Sequence, residues 1–95
     1  GTILGAVNMI TKSAAAELVS FNIRVNSVHP GLVATPMIKD FVGDPQAVEM
    51  LLGPTLIRRL ARPEEITNVV AFLASDEASY VTGAAYMVDG GFSTV

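Results

Sequence analysis

Few residues in this sequence are able to move protons, and they are scattered. His29 is the single histidine, Glu64 and Glu65 are adjacent, Lys12 stands apart, and Ser79-Tyr80 is a hydroxyl pair. Neighbours on a helix do not face one another, so two glutamates directly after Pro63 read as carboxylates at the positive end of a helix dipole, not as an acid–base pair. His29 falls at a strand end without a visible carboxylate and reads as structural, and Lys12 reads as a solvated lysine. With no cysteine there is no thiol nucleophile, disulfide or cysteine metal site, and no metal-ligand spacing is visible. The stretch best suited to a ligand is 23–37. Ile23, Val25 and Val28 suit a strand, and Pro30-Gly31 then removes a donor and lets the chain turn sharply near His29. In an open α/β sheet, ligands sit beyond the carboxyl ends of strands, so the loop from Pro30 to Thr35, with its free amides and the Thr35 hydroxyl, is a candidate binding loop. The bland alternative is a turn followed by a helix that Thr35 caps and Pro36 opens.

The elements that must position this loop follow from periodicity. Over 3–21 the apolar residues Ile3, Val7, Ile10, Ala14, Leu18 and Phe21 recur every three or four positions, which predicts an amphipathic helix ended by Asn22 and a strand from Ile23. Asn26 reads as a polar residue tying neighbouring backbone together. Residues 37–60 carry one clear helix, with Asp44 as its cap, Pro45 at its first position and Gly53-Pro54 at its end. Met37, Ile38 and Phe41 give that segment more apolar surface than a connector needs. A further helix starts at Pro63, carries the stripe Ile66, Val69, Val70, Leu73 and closes at Ser75-Asp76. A turn at 79–83 leads to a last strand over 84–88, ended by Asp89-Gly90-Gly91. The order helix, strand, helical insertion, helix, strand predicts an α/β fold with a right-handed β-α-β unit.

Composition narrows the class. Ninety-five residues make at most one domain with a thin core. Apolar residues make up 51% and charged residues 16%, a balance expected of the interior part of a larger α/β domain or of a subunit with a large apolar interface. The net charge of −3 and dispersed basic residues, with only Arg58, Arg59 and Arg62 grouped, argue against nucleic acid. No apolar run approaches the roughly 20 residues of a membrane span, so no membrane partner is expected, and cytoplasm is the default location.

Three runs in order, R-V-N-S-V-H-P-G-L-V-A-T-P-M at 24–37, R-P-E-E-I with V-A-F-L-A-S-D-E-A-S-Y-V-T-G at 62–83, and M-V-D-G-G at 87–91, resemble the C-terminal part of the short-chain dehydrogenase/reductase family. The resemblance implies the C-terminal part of a single Rossmann-type, doubly wound parallel sheet, with residues 36–60 as a substrate lid. It implies NAD or NADP as cofactor, and hydride transfer between nicotinamide and a small apolar alcohol or carbonyl compound. On the same ground Pro30, Gly31, Val33 and Thr35 become cofactor-binding residues: Val33 through its backbone to the nicotinamide carboxamide, Thr35 through its hydroxyl to the carboxamide or a phosphate. Met37, Ile38 and Phe41 become substrate-lid residues. Family members assemble as dimers or tetramers, which here implicates helices 5–21 and 63–75 and strand 84–88.

The resemblance fails at one place. The family's Tyr-x-x-x-Lys pair puts a phenol and a lysine on one helical face, where the cation favours phenolate. Here Leu4 stands at the lysine position, and the tyrosine would precede Gly1; the catalytic serine is also absent, so no catalytic residue is assigned. Lys12 cannot substitute, since eight residues along a helix displace it by roughly 12 Å. Tyr80 belongs to the S-Y-V-T-G run and has Ala84, not lysine, four residues on. Either Leu4 is a true replacement in a non-catalytic relative, or residues 1–4 do not continue the native helix; the mismatch across all four favours the second. The expectation is therefore part of an NAD(P)-dependent oxidoreductase that supplies the nicotinamide-side loop and lid, the alternative being a non-catalytic assembly or binding subunit.

Overall fold

The computed structural model describes residues 2–94, without the side chains of 2–4, 39, 41 and 94. Its main elements are α1 (Thr2–Leu18), β1 (Ser27–Pro30), α2 (Lys39–Val42), α3 (Pro45–Leu52), α4 (Pro63–Ala74) and β2 (Ala85–Val88), with short 3-10 turns between them. Two compact units result. One comprises the chain up to His29 with Val70–Tyr86, the other Pro30–Val69 with the chain from Met87 onward. The strands form a two-stranded sheet in which the Ser27 amide donates to Ala84 and the Gly31 amide to Val88, an equal advance along both strands that makes the pair parallel.

In the first unit α1 ends as Asn22 predicts. Asn22 adopts the left-handed conformation (φ 59°, ψ 37°), its amide donates to Val19, and the Ile23 amide reaches back to Leu18, the paired bonds of a Schellman ending. The buried face of α1 differs from the expected stripe. Thr11 and Ala15 are 6% exposed, whereas Ile10 is 68% and Phe21 72% exposed. The reason is close approach: a Cβ built on Gly83 would lie 3.5 Å from that of Ala15, and only small residues permit this spacing. Thr11 turns its hydroxyl back to the Val7 carbonyl and so buries no free donor. Lys12 is exposed but not merely solvated, since its Nζ donates to the Gly83 carbonyl at 3.3 Å.

Strand pairing begins at Ser27, not Ile23. Ahead of it the Gly83 amide bonds main chain to main chain, to the Val25 carbonyl at 2.7 Å, and side chains supply the rest: Thr82 Oγ1 accepts from the Val25 amide, while Asn26 donates to the Val81 carbonyl and accepts from the Ala84 amide. Asn26 thus ties backbone as expected. Arg24, unremarked in the sequence, gathers three carbonyls: Leu73 at 2.8 Å, Ser75 at 3.1 Å and Val81 at 3.3 Å. Leu73 lies in the last turn of α4 and Ser75 directly follows it, where the helix dipole favours a cation.

In the second unit Asp44 caps α3, accepting from the Gln46 and Ala47 amides, and Gly53 ends it with a positive φ of 52°. Residues 36–60, expected to form a lid, hold more helix than expected, with a 3-10 turn at Pro36–Ile38 and α2 ahead of α3. Leu52 is buried here, and Ala15, Leu73 and Ala78 in the first unit; each core is as thin as the length implies. No helix among the described residues is long and apolar enough to cross a membrane.

Candidate functional site

The loop after β1 lies wholly within the second unit. Gly31 is held on one side by its bond to the Val88 carbonyl and on the other by Asp89, whose Cα would lie 2.8 Å from any Cβ at position 31. The chain then pairs with the segment before α4. Ala61 donates to the Leu32 carbonyl and accepts from the Ala34 amide, each at 2.9 Å, an isolated parallel bridge centred on Val33. Peptide groups alternate direction along an extended chain. The bridge therefore consumes the Leu32 C=O and Ala34 N–H and turns the N–H and C=O of Val33 to the opposite edge. Neither has a partner among the described residues. One donor and one acceptor, side by side on a fixed main chain, match either a primary carboxamide or another strand.

Thr35 follows with its side chain exposed; its carbonyl accepts from the Ile38 amide, and its hydroxyl makes no hydrogen bond among the described residues. Pro30, Gly31, Val33 and Thr35 thus lie together on one loop. The residues expected to line a lid are less well assembled. Met37 is 88% exposed, Ile38 is half-buried, and the side chain of Phe41, like that of Leu4, lies outside the described residues.

Beside the loop an open cleft of about 420 Å³ is walled by Gly31, Leu32, Leu52, Ile57, Met87 and the 89–91 turn. Its polar rim is an ion pair missed in the sequence. Arg59 meets Glu65 through two parallel bonds of 2.6 and 2.9 Å, and Glu65 also accepts from the Arg62 amide. The Arg59 hydrogen bond, then the Arg62 amide, hold the Glu65 carboxyl down at about 2, and Glu65 in turn raises Arg59. Glu65 is therefore a fixed anion that joins the start of α4 to the cleft rim. The signal was available in its spacing: a Glu three residues after a helix start can bond back to the cap amide.

His29 and the Ser79-Tyr80 pair are accounted for locally. His29 Nε2 lies 2.9 Å from Ser27 Oγ, two residues back on the same face of β1. Tyr80 is fully exposed, and the Ser79 amide closes a turn onto Asp76. No group of three or more His, Cys, Asp or Glu side chains able to hold a metal ion occurs among the described residues.

Comparison with known proteins places this geometry in context. The profile of a family described as "Enoyl-(Acyl carrier protein) reductase" matches residues 2–93. The cyclopentanol dehydrogenase of Comamonas testosteroni is 54% identical over 94% of this chain and 36% of its own length. The cyclohexanol dehydrogenase of Acinetobacter sp. is 49% identical over 93% of this chain and 33% of its own. Among solved structures, 4-hydroxyisoleucine dehydrogenase complexed with NADH superimposes with a TM-score of 0.86 at 28% identity, covering 96% of this chain and 37% of that one. The chain spans about a third of the length of the curated relatives it matches. On these matches, and with its parallel β-α-β order, the chain belongs to the short-chain dehydrogenase/reductase family.

Proposed function

We propose that this chain supplies the nicotinamide-side loop and the substrate lid of an NAD(P)-dependent oxidoreductase acting on a small apolar alcohol or ketone, as part of a single Rossmann-type domain. The observation that carries this reading is the unpaired main chain of Val33. A nicotinamide carboxamide offers an oxygen to the Val33 N–H and an amide hydrogen to its C=O, so the donor set fits the group. The exposed Thr35 hydroxyl, two residues on, adds one donor and acceptor for the carboxamide or a phosphate oxygen. When bound, the nicotinamide gives or takes the hydride. This chain's part would be to hold the carboxamide through Val33 and Thr35 and to cover the substrate with the apolar segment 36–60. The names of the cyclopentanol and cyclohexanol dehydrogenases favour a cyclic secondary alcohol or its ketone as substrate. By the family resemblance, Leu4 stands at the position of the lysine that lowers the pKa of the proton-transferring tyrosine, and that tyrosine's position precedes Gly1.

Replacing Thr35 by valine in the native protein tests this reading. Loss of one hydrogen bond worth about 1 kcal/mol raises the dissociation constant for NAD(H) or NADP(H) about fivefold with no change in melting temperature. Unchanged affinity, or no dinucleotide binding by the wild type, refutes the reading.

A second reading, a non-catalytic assembly or binding subunit, is favoured by exposed apolar residues of α1, with Met9 71% exposed next to Ile10, and by exposed Phe21 in the turn that follows. Val70 and Phe72 of α4 are exposed as well. Such faces suit a homodimer or homotetramer built through helices 5–21 and 63–75 and strand 84–88. A stable oligomer of the native protein without dehydrogenase activity would decide for this reading.

A further inference from the structure

We propose that Asp89 is a positioning residue that sets where the free donor and acceptor of Val33 stand. The Asp89 carboxylate accepts from the Gly91 amide at 3.0 Å and the Ser93 amide at 3.2 Å, closing a turn in which Gly90 (φ 62°) and Gly91 (φ 88°) adopt conformations that side chains disfavour. It makes no ion pair among the described residues, so its charge is met by the Ser93 side chain and the Gly91 and Ser93 amides, and the turn's shape depends on that carboxylate.

This turn grips the Val33 loop from both ends. On the near side Gly31 packs directly on Asp89, with no space for a Cβ between them. On the far side the Gly90 carbonyl accepts from the Ile57 amide at 2.8 Å, and the segment that starts there ends at Ala61, which holds Leu32 and Ala34. Val33 lies between these two attachments. Both refer back to one carboxylate. The consequence for cofactor binding rests on the reading of this loop as a nicotinamide site; the positioning itself does not.

The test uses Asp89→Ala and Asp89→Asn in the native protein, with two readouts. Amide hydrogen exchange is followed at Ala34 and Ala61 against amides of α1, and dissociation constants and kcat are measured with NAD(H) and NADP(H). In Asp89→Ala, exchange at Ala34 and Ala61 rises about tenfold while α1 is unaffected, and cofactor affinity falls about tenfold with a smaller change in kcat. Asp89→Asn keeps one acceptor and recovers most of both, and it carries the test if the alanine variant fails to fold. Unaltered exchange at Ala34 and Ala61 in a folded variant overturns the proposal. Raised exchange in a protein that binds neither dinucleotide upholds the role of Asp89 and refutes the nicotinamide reading.

Discussion

Gly31→Ala is the sharpest probe of the loop, because its cost can be worked from three distances. The added Cβ would lie 2.8 Å from Asp89 Cα, 3.0 Å from its Cβ and 3.2 Å from its carbonyl carbon. Carbon atoms rest at about 3.5–4.0 Å, so the closest contact is short by roughly 0.7 Å. None of the three atoms is the far end of a flexible side chain, and relief requires main chain to move. Moving it strains the Gly31 to Val88 bond and the Leu32 to Ala61 bond together. Overpacking of this kind costs about 1–3 kcal/mol. Denaturant unfolding of the native protein should show a lower midpoint at constant m-value. Gly5→Ala is the control: nothing lies within 4 Å of its Cβ, it is exposed on α1, and alanine there should stabilise by about 0.5–1 kcal/mol. A Gly31→Ala protein within about 0.5 kcal/mol of wild type would refute the close approach, and with it the account of how the loop is seated.

Two further outcomes follow from the polar clamps. Arg24→Lys replaces a fork reaching the Leu73, Ser75 and Val81 carbonyls with a single ammonium, and should destabilise by about 1–3 kcal/mol, measured by denaturant midpoint; a silent substitution would mean the fork carries nothing. Glu65 has its carboxyl lowered from 4.5 to about 2, so its stabilisation is complete above about pH 4.5 and is lost as pH falls through about 2. The melting-temperature gap between wild type and Glu65→Gln should therefore close across that acid window, and added salt should narrow it at neutral pH because the pair is exposed. A gap constant with pH would refute the assignment.

Helix ends were legible because capping is local chemistry. Asp44-Pro45, Arg62-Pro63 and Asn22 each stand within a few residues of the groups they satisfy, and each marks a boundary where expected. The strand start was not legible from Ile23 and Val25. What delays pairing to Ser27 is Thr82 and Val81, more than fifty residues away, bonding to Val25 and Asn26. The α1 stripe misled for a similar reason. Hydrophobicity pointed to Ile10 and Phe21, but the turn at Gly83 lies against the small side chain of Ala15, and Thr11 is buried with its hydroxyl bonded to the Val7 carbonyl. For the loop, the sequence marked the right stretch through Pro30-Gly31 and Thr35. It could not show the register with Ala61, which decides that the main chain of Val33 faces outward.

The free edge at Val33 has a bearing on how this protein tolerates change. Its donor and acceptor belong to the peptide bonds, so every residue except proline presents the same N–H and C=O at that position. Substitution of the side chain leaves those groups in place, and the position is free to drift under selection for packing alone. A survey by side-chain truncation would pass over Val33 as indifferent. The sensitivity would surface instead at Gly31 and Ala61, which fix the register of the loop.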